Sequence, residues 1–152
     1  MQFNTTRFGT IEIGEEKLIH FPLGLLGFEN LQRFLVIDSD ESAPLRWLQA
    51  VDDPQLAFLI AEPTLFFPDY KFQMAQEDLD MLGIKQGNDV VVACLVVVPT
   101  NPSDMTINLM GPLVMNPERR VGKQVVLHDG TYSPRQRLLP DAAASEAPAA
   151  LV

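Results

Sequence analysis

Asp104-Met-Thr-Ile-Asn-Leu-Met-Gly-Pro-Leu-Val-Met-Asn116 begins six residues after a continuous apolar run, Val90-Val-Val-Ala-Cys-Leu-Val-Val-Val98. The run is nine residues long, β-branched and free of Gly and Pro. Such a run reads as a strand buried on both faces. Pro99-Thr-Asn-Pro-Ser103 has the composition of a turn. Thr106-Ile-Asn-Leu-Met110 returns as a second strand, and Gly111-Pro112 interrupts it. Pro112 has no N–H to give to a ladder, so the chain must bend or bulge there. Leu113-Val-Met115 then resumes. The core element is a hairpin whose second arm is bent. Asn108 is the odd residue in that arm. A buried amide left unpaired costs about 1–3 kcal/mol. Asn108 therefore either stitches a bulge to neighbouring backbone or contacts a partner.

The totals bound the rest. At 152 residues the chain fits one domain and can bury a core without staples. Cys94 is the single cysteine, so no disulfide can form within the chain and a reducing compartment is expected. Cys94 lies inside the apolar run, where it reads as core filler rather than nucleophile. The N-terminus lacks the basic start and apolar segment of a signal peptide. No stretch reaches the roughly 18–20 apolar residues that span a bilayer. A soluble, cytoplasmic protein with no membrane contact is expected. The net charge is −9. Residues 1–110 carry 6 basic and 16 acidic side chains, and residues 111–152 carry 5 and 4. An acidic body argues against nucleic acid as a direct ligand. It favours solubility, and attraction to a basic protein surface.

Outside the hairpin the chain alternates short strands and turns. Gln2 to Phe8, then Thr10-Ile-Glu-Ile13, then Lys17-Leu-Ile-His-Phe21 read as a β-meander, with Gly9 and Gly14-Glu-Glu16 as its turns. Phe34-Leu-Val-Ile37, Leu45-Arg-Trp-Leu-Gln-Ala-Val51, Leu56-Ala-Phe-Leu-Ile-Ala61 and Val121-Gly-Lys-Gln-Val-Val-Leu127 read as further strands. Trp47, the only tryptophan, is expected in the core. One helix is credible, over residues 75–82. Its acids cluster near its start, Gly83 stands in a C-cap position, and Leu79 and Leu82 are placed to face the core. The turn over 86–89 leads into the apolar run. From 140 to 152 the chain is Ala- and Pro-rich and is expected to be a disordered tail. The expected fold is mostly β: a small antiparallel β-barrel-like module with one short helix, built from residues 1–139.

Phe21-Pro-Leu-Gly-Leu-Leu-Gly-Phe28 is a loop by its Pro and Gly, yet it is strongly apolar. Such a loop either plugs the end of a barrel or presents a contact patch. Its flanking acids include Glu15, Glu16 and Glu29. Enzyme motifs are sparse. Asp52-Asp-Pro54 resembles a metal or acid–base pair, but it is also ordinary turn chemistry, and no His or further acid follows at ligand spacing. His20 and His128 stand far apart. No phosphate-cradling glycine loop or nucleophile elbow is present. Arg119, Arg120, Lys123, Arg135 and Arg137 form a basic cluster that either touches phosphates or is a solvated face. A binding module is favoured, without catalytic residue, metal or cofactor. A metal-dependent enzyme using Asp52 and Asp53, and a direct RNA binder using the basic cluster, are its rivals.

Thr6-Arg-Phe-Gly9, the 21–28 loop, Trp47-Leu-Gln49, Asp52-Asp-Pro54, Ala57-Phe58, Asp69-Tyr70, Thr106-Ile-Asn-Leu109 with Pro112 and Asn116, and Gln124 occur in an order and spacing that resembles the FliW family of bacterial flagellar assembly factors. The resemblance runs from about Thr6 to Arg137. It implies a small β-barrel-like module with little helix. It also implies two protein ligands: flagellin, and the carbon storage regulator CsrA, a basic RNA-binding dimer that represses flagellin translation. Proteins of this type antagonise that regulator, and flagellin competes for them. The residues expected at a partner contact are Leu23, Leu25, Phe28, Asn108 and Pro112.

Overall fold

The computed structural model describes residues 1–85 and 90–138. The expected turn over 86–89 and the expected tail over 140–152 lie outside the described residues. Strands β1 (Gln2–Thr5) and β2 (Gly9–Glu12) form a separate hairpin. The second sheet holds β3 (Ile19–His20), β4 (Arg33–Asp38), β5 (Arg46–Ala50), β6 (Ala57–Ala61), β7 (Val91–Val97), β8 (Thr106–Ile107), β9 (Leu113–Asn116), β10 (Val121–Gln124) and β11 (Gln136–Arg137). Its order runs β11-β8-β7-β6-β5-β4-β3-β10-β9, and β9 pairs back onto β7. Strands β3 to β7, β9 and β10 thus close a seven-stranded barrel. All its pairings are antiparallel except the single contact of β3 with β10, Val121 beside His20.

Closure depends on the bent arm. β6 occupies one edge of β7, through Leu59↔Val96 and Ala61↔Cys94. The other edge carries β9 along Val91–Ala93 and β8 along Val96–Val97. Residues 108–112 step out of the ladder between them. The Asn108 N–H still reaches the Leu95 carbonyl at 2.9 Å. Its Oδ1 then accepts from the N–H groups of Met110 (3.0 Å) and Gly111 (2.9 Å). This is the stitched bulge that the amide allowed. The final strand is regular only to Gln124 rather than to Leu127. Beyond it the chain pairs with the bulge, Val125 N–H to the Pro112 carbonyl and Leu127 N–H to that of Met110, both 2.8 Å.

The centre of β7 is buried on both faces, with the period of two that a strand imposes. Ala93 and Leu95 point into the barrel with Phe21, Phe34, Leu48, Ile60, Leu113 and Met115. Cys94 and Val96 point outward into a second cluster with Tyr70, Ile107 and Leu109. The ends of the run depart from expectation: Val91 is 39% and Val97 63% exposed. The covering layer spans only the middle. The Tyr70 hydroxyl fastens that layer by donating to the Leu109 carbonyl at 2.7 Å. A third cluster, Leu82 with Val114, Val125 and Leu127, lies beneath the helix α1 (Gln76–Leu82).

α1 ends on Gly83 at φ 67°, the left-handed conformation that glycine adopts without penalty. Asn116 supports that end by donating to the Leu82 carbonyl at 2.8 Å. Leu82 faces the core as expected, but its companion does not. Leu79 is half-buried, and Asp78, one turn before Leu82, is buried instead in an ion pair with Lys123 of β10. Two further expectations fail. The meander breaks after β2, because β3 joins β4 and β10 and leaves the hairpin outside the barrel. Trp47 is not in the core. It faces outward, half-buried, with Phe8 edge-on at 6.0 Å and the Arg7 guanidinium 4.1 Å above the ring. The hairpin supplies the cover that the barrel lacks there.

Asn108→Ala removes both bonds to the bulge N–H groups. We expect a loss of about 1–3 kcal/mol in urea unfolding, the scale of buried donors left unpaired. A variant as stable as the parent would show that the bulge holds without its stitch.

Candidate partner-binding site

Loop 21–28 connects β3 to β4 and closes one end of the barrel. Phe21 is fully buried and meets Phe34 edge-on at 5.4 Å. It lies so close to β10 that a Cβ at Gly122 would stand 2.6 Å from its ring. Leu25 is 1% exposed, and the half-buried Phe28 packs on Phe58 at 5.1 Å. Two tight reversals, at Gly24 (φ 66°) and Gly27 (φ 85°), flank Leu25, which points inward, and Leu26, which points outward. Leu23 is 57% and Leu26 62% exposed. The plug expected from the sequence is formed by Phe21 and Leu25, while Leu23 and Leu26 of the same loop stay exposed.

The exposed residues sit on fixed backbone. The Leu26 N–H donates to Gln124 Oε1 at 2.9 Å, and the Gln124 Nε2 donates to the Gly111 carbonyl at 3.1 Å. Gln124 therefore ties the loop to the bulge. The Gly27 N–H is held by Glu29 Oε2 at 2.7 Å. Of the five residues expected at a contact, Leu23 stands in solvent, while Leu25 and Pro112 are buried. Phe28 is half-buried, and Asn108 has its Oδ1 committed to the bulge. Gln124, which is not one of the five, links the loop at Leu26 to the bulge at Gly111, between Asn108 and Pro112. No local pattern marks a strand glutamine as a bridge.

The other candidate groups have structural occupations. Asp52 is bound by the Arg33 guanidinium, with Nε to Oδ2 at 3.1 Å. That bond holds the Asp52 carboxyl below the usual carboxylate range, against the opposing effect of burial. Asp53 Oδ1 accepts the Gln55 N–H at 3.0 Å, which is turn chemistry. Among the described residues no group of His, Cys, Asp and Glu is placed to hold a metal. Burial pushes the Cys94 thiol up to about 12. The basic cluster is divided among separate elements: Lys123 on Asp78, Arg137 on Asp104, and Arg120 on the Lys17 and Leu18 carbonyls. No helix among the described residues is long and apolar enough to cross a membrane.

Residues 2–138 match the family model described as FliW protein. The chain belongs to the FliW family. A flagellar assembly factor FliW of Natranaerobius thermophilus is 38% identical over 142 residues, covering 93% of this chain and 94% of that protein. One from Magnetococcus marinus is 41% identical over 147 residues, covering 96% and 90%. A crystal structure of the flagellar assembly factor FliW superposes with a TM-score of 0.87 at 32% identity, covering 93% of this chain and 99% of the other. These FliW relatives are named as assembly factors, not as enzymes.

Two outcomes follow from the geometry of this FliW barrel. Leu25→Ala should cost about 2–5 kcal/mol, as for other buried leucines, whereas Leu23→Asp should stay within about 0.5 kcal/mol of the parent. Equal losses in urea unfolding would contradict the division into plug and patch. The Arg33–Asp52 pair carries a sign in pH. A carboxylate with a lowered folded pKa stabilises above its ordinary value of about 4, and that contribution fades as pH falls through the lowered value. Asp52→Asn should therefore cost stability at pH 7 and cost nothing at the acid end of that window. A penalty independent of pH, followed by thermal melts from pH 7 to 2, would rule the pairing out as its source.

Proposed function

We propose that this protein acts in the cytoplasm as a flagellar assembly factor that binds flagellin and antagonises the translational regulator CsrA. Flagellin, by competing for it, would then adjust its own translation. Family membership supports the class of activity, and the family resemblance supplies the two ligands. The observation that carries the reading is the pair Leu23 and Leu26, exposed on a loop whose backbone is already fixed. Exposed leucines on rigid backbone suit the centre of an interface, since little ordering cost remains on association. Leu23 and Leu26 make the contact. Leu25 and Phe28 hold the loop from beneath, and Asn108 and Pro112 hold it through the bulge and Gln124. The net charge of −9 favours encounter with a basic regulator, an attraction that salt weakens.

The double variant Leu23→Asp, Leu26→Asp tests this. Binding to CsrA or flagellin should weaken by more than about 2 kcal/mol, the scale of an interface hot spot, with an unchanged melting temperature. If the variant melts like the parent and binds both proteins normally, the contact lies elsewhere.

A further inference from the structure

Among the described residues, the end of the barrel away from loop 21–28 is left uncovered. A cavity of about 640 Å³ enters there, within the range of small-molecule sites. Its floor is Ile19, Ile60, Ala93 and Met115, all at most 5% exposed. Its lip carries three cations, Lys17, Arg46 and Arg120, and one acid, Glu62. Arg46 is engaged by Asp38, with Nε to Oδ1 at 2.5 Å. Arg120, at φ 55°, lies across the lip with its guanidinium on the Lys17 and Leu18 carbonyls. Lys17 makes no ion pair among the described residues. Among the described residues that line it, with Asp38 counted beside Glu62, the lip is net positive on a protein of charge −9.

We propose that this mouth binds a straight-chain aliphatic carboxylate, its hydrocarbon on the Ile60–Met115 floor and its carboxylate at Lys17 and Arg120. Charge-assisted hydrogen bonds favour a carboxylate at such a lip. The apolar floor selects against an extended peptide, whose N–H and C=O groups would be desolvated there without partners. A hydrocarbon chain brings no such groups. The site is separate from the loop proposed to contact proteins.

Methyl NMR of the full chain, following Ile60 and Met115 while sodium decanoate is added, reads the site directly. Decyltrimethylammonium, one carbon longer in its alkyl chain and of opposite charge, is the comparison probe. Decanoate should shift both methyls saturably with a Kd below about 1 mM and bind tighter than the cation. Lys17→Glu, on an exposed turn, should weaken it about tenfold, the loss of one bond to a charged group. Val91→Trp should block entry at the lip. Should Val91→Trp melt below the parent, Lys17→Glu alone decides the matter. Shifts confined to Leu23 and Leu26, equal affinity for the two probes, or binding that Lys17→Glu leaves unchanged would each overturn the proposal. None of these outcomes bears on flagellin or CsrA binding.

Discussion

Closure of this barrel rests on one edge of β7 receiving two strands from a single returning arm. The arm can serve as β8 and then as β9 only by leaving the ladder between them, and each residue that leaves exposes a backbone donor and acceptor. Buried polar groups without partners are costly enough to undo a short strand. Asn108 removes that cost locally by accepting from two N–H groups. Pro112 removes part of it by having no N–H at all. The Pro112 and Met110 carbonyls are then taken by the chain that follows β10.

Side-chain amides solve the same problem elsewhere. Asn116 donates to the Leu82 carbonyl at the end of α1 and accepts the Glu118 N–H at 3.0 Å. Gln49, almost fully buried, does only the donor half: its Nε2 donates to the Ala50 and Leu56 carbonyls around the turn after β5, and its Oε1 has no partner among the described residues. Gln124 spans from the bulge to loop 21–28. An amide carries a donor and an acceptor in one rigid plane, so it can replace both halves of an interrupted ladder. A carboxylate could not, because it would bring a charge and no donor.

The bent hairpin, the short helix with its Gly83 cap and the mostly antiparallel barrel were legible in the sequence, because β-branched runs, Gly and Pro act locally. What escaped were the long-range pairings. Nothing in residues 9–21 shows that β3 leaves the hairpin to sit beside β10, since that contact spans a hundred residues of chain. Trp47 was misplaced because a single aromatic in a strand has no local sign of which face is covered, and its cover, Phe8 with Arg7, comes from the separate hairpin. Asp78 displaced Leu79 from the buried face because Lys123 waited on β10, a partner visible only in three dimensions. At the candidate site the apolar loop was evident, but not the division of labour within it.

That division follows from φ at two glycines. In a loop of apolar residues, hydrophobicity alone would draw every side chain inward. Gly24 and Gly27 reverse the chain on either side of Leu25, so that burying Leu25 obliges its neighbours to face out. A Cβ at Gly24 would meet the backbone of Phe28 and Glu29 at 2.6 Å, and the turn could not close. Leu23 and Leu26 are thus exposed because the plug is seated, not because the loop is loose. The same burial that completes the barrel core at this end sets the outward leucines, and Gln124 fixes their backbone to the bulge that closes the sheet. Stability of the barrel and presentation of its apolar surface are two readings of one set of contacts.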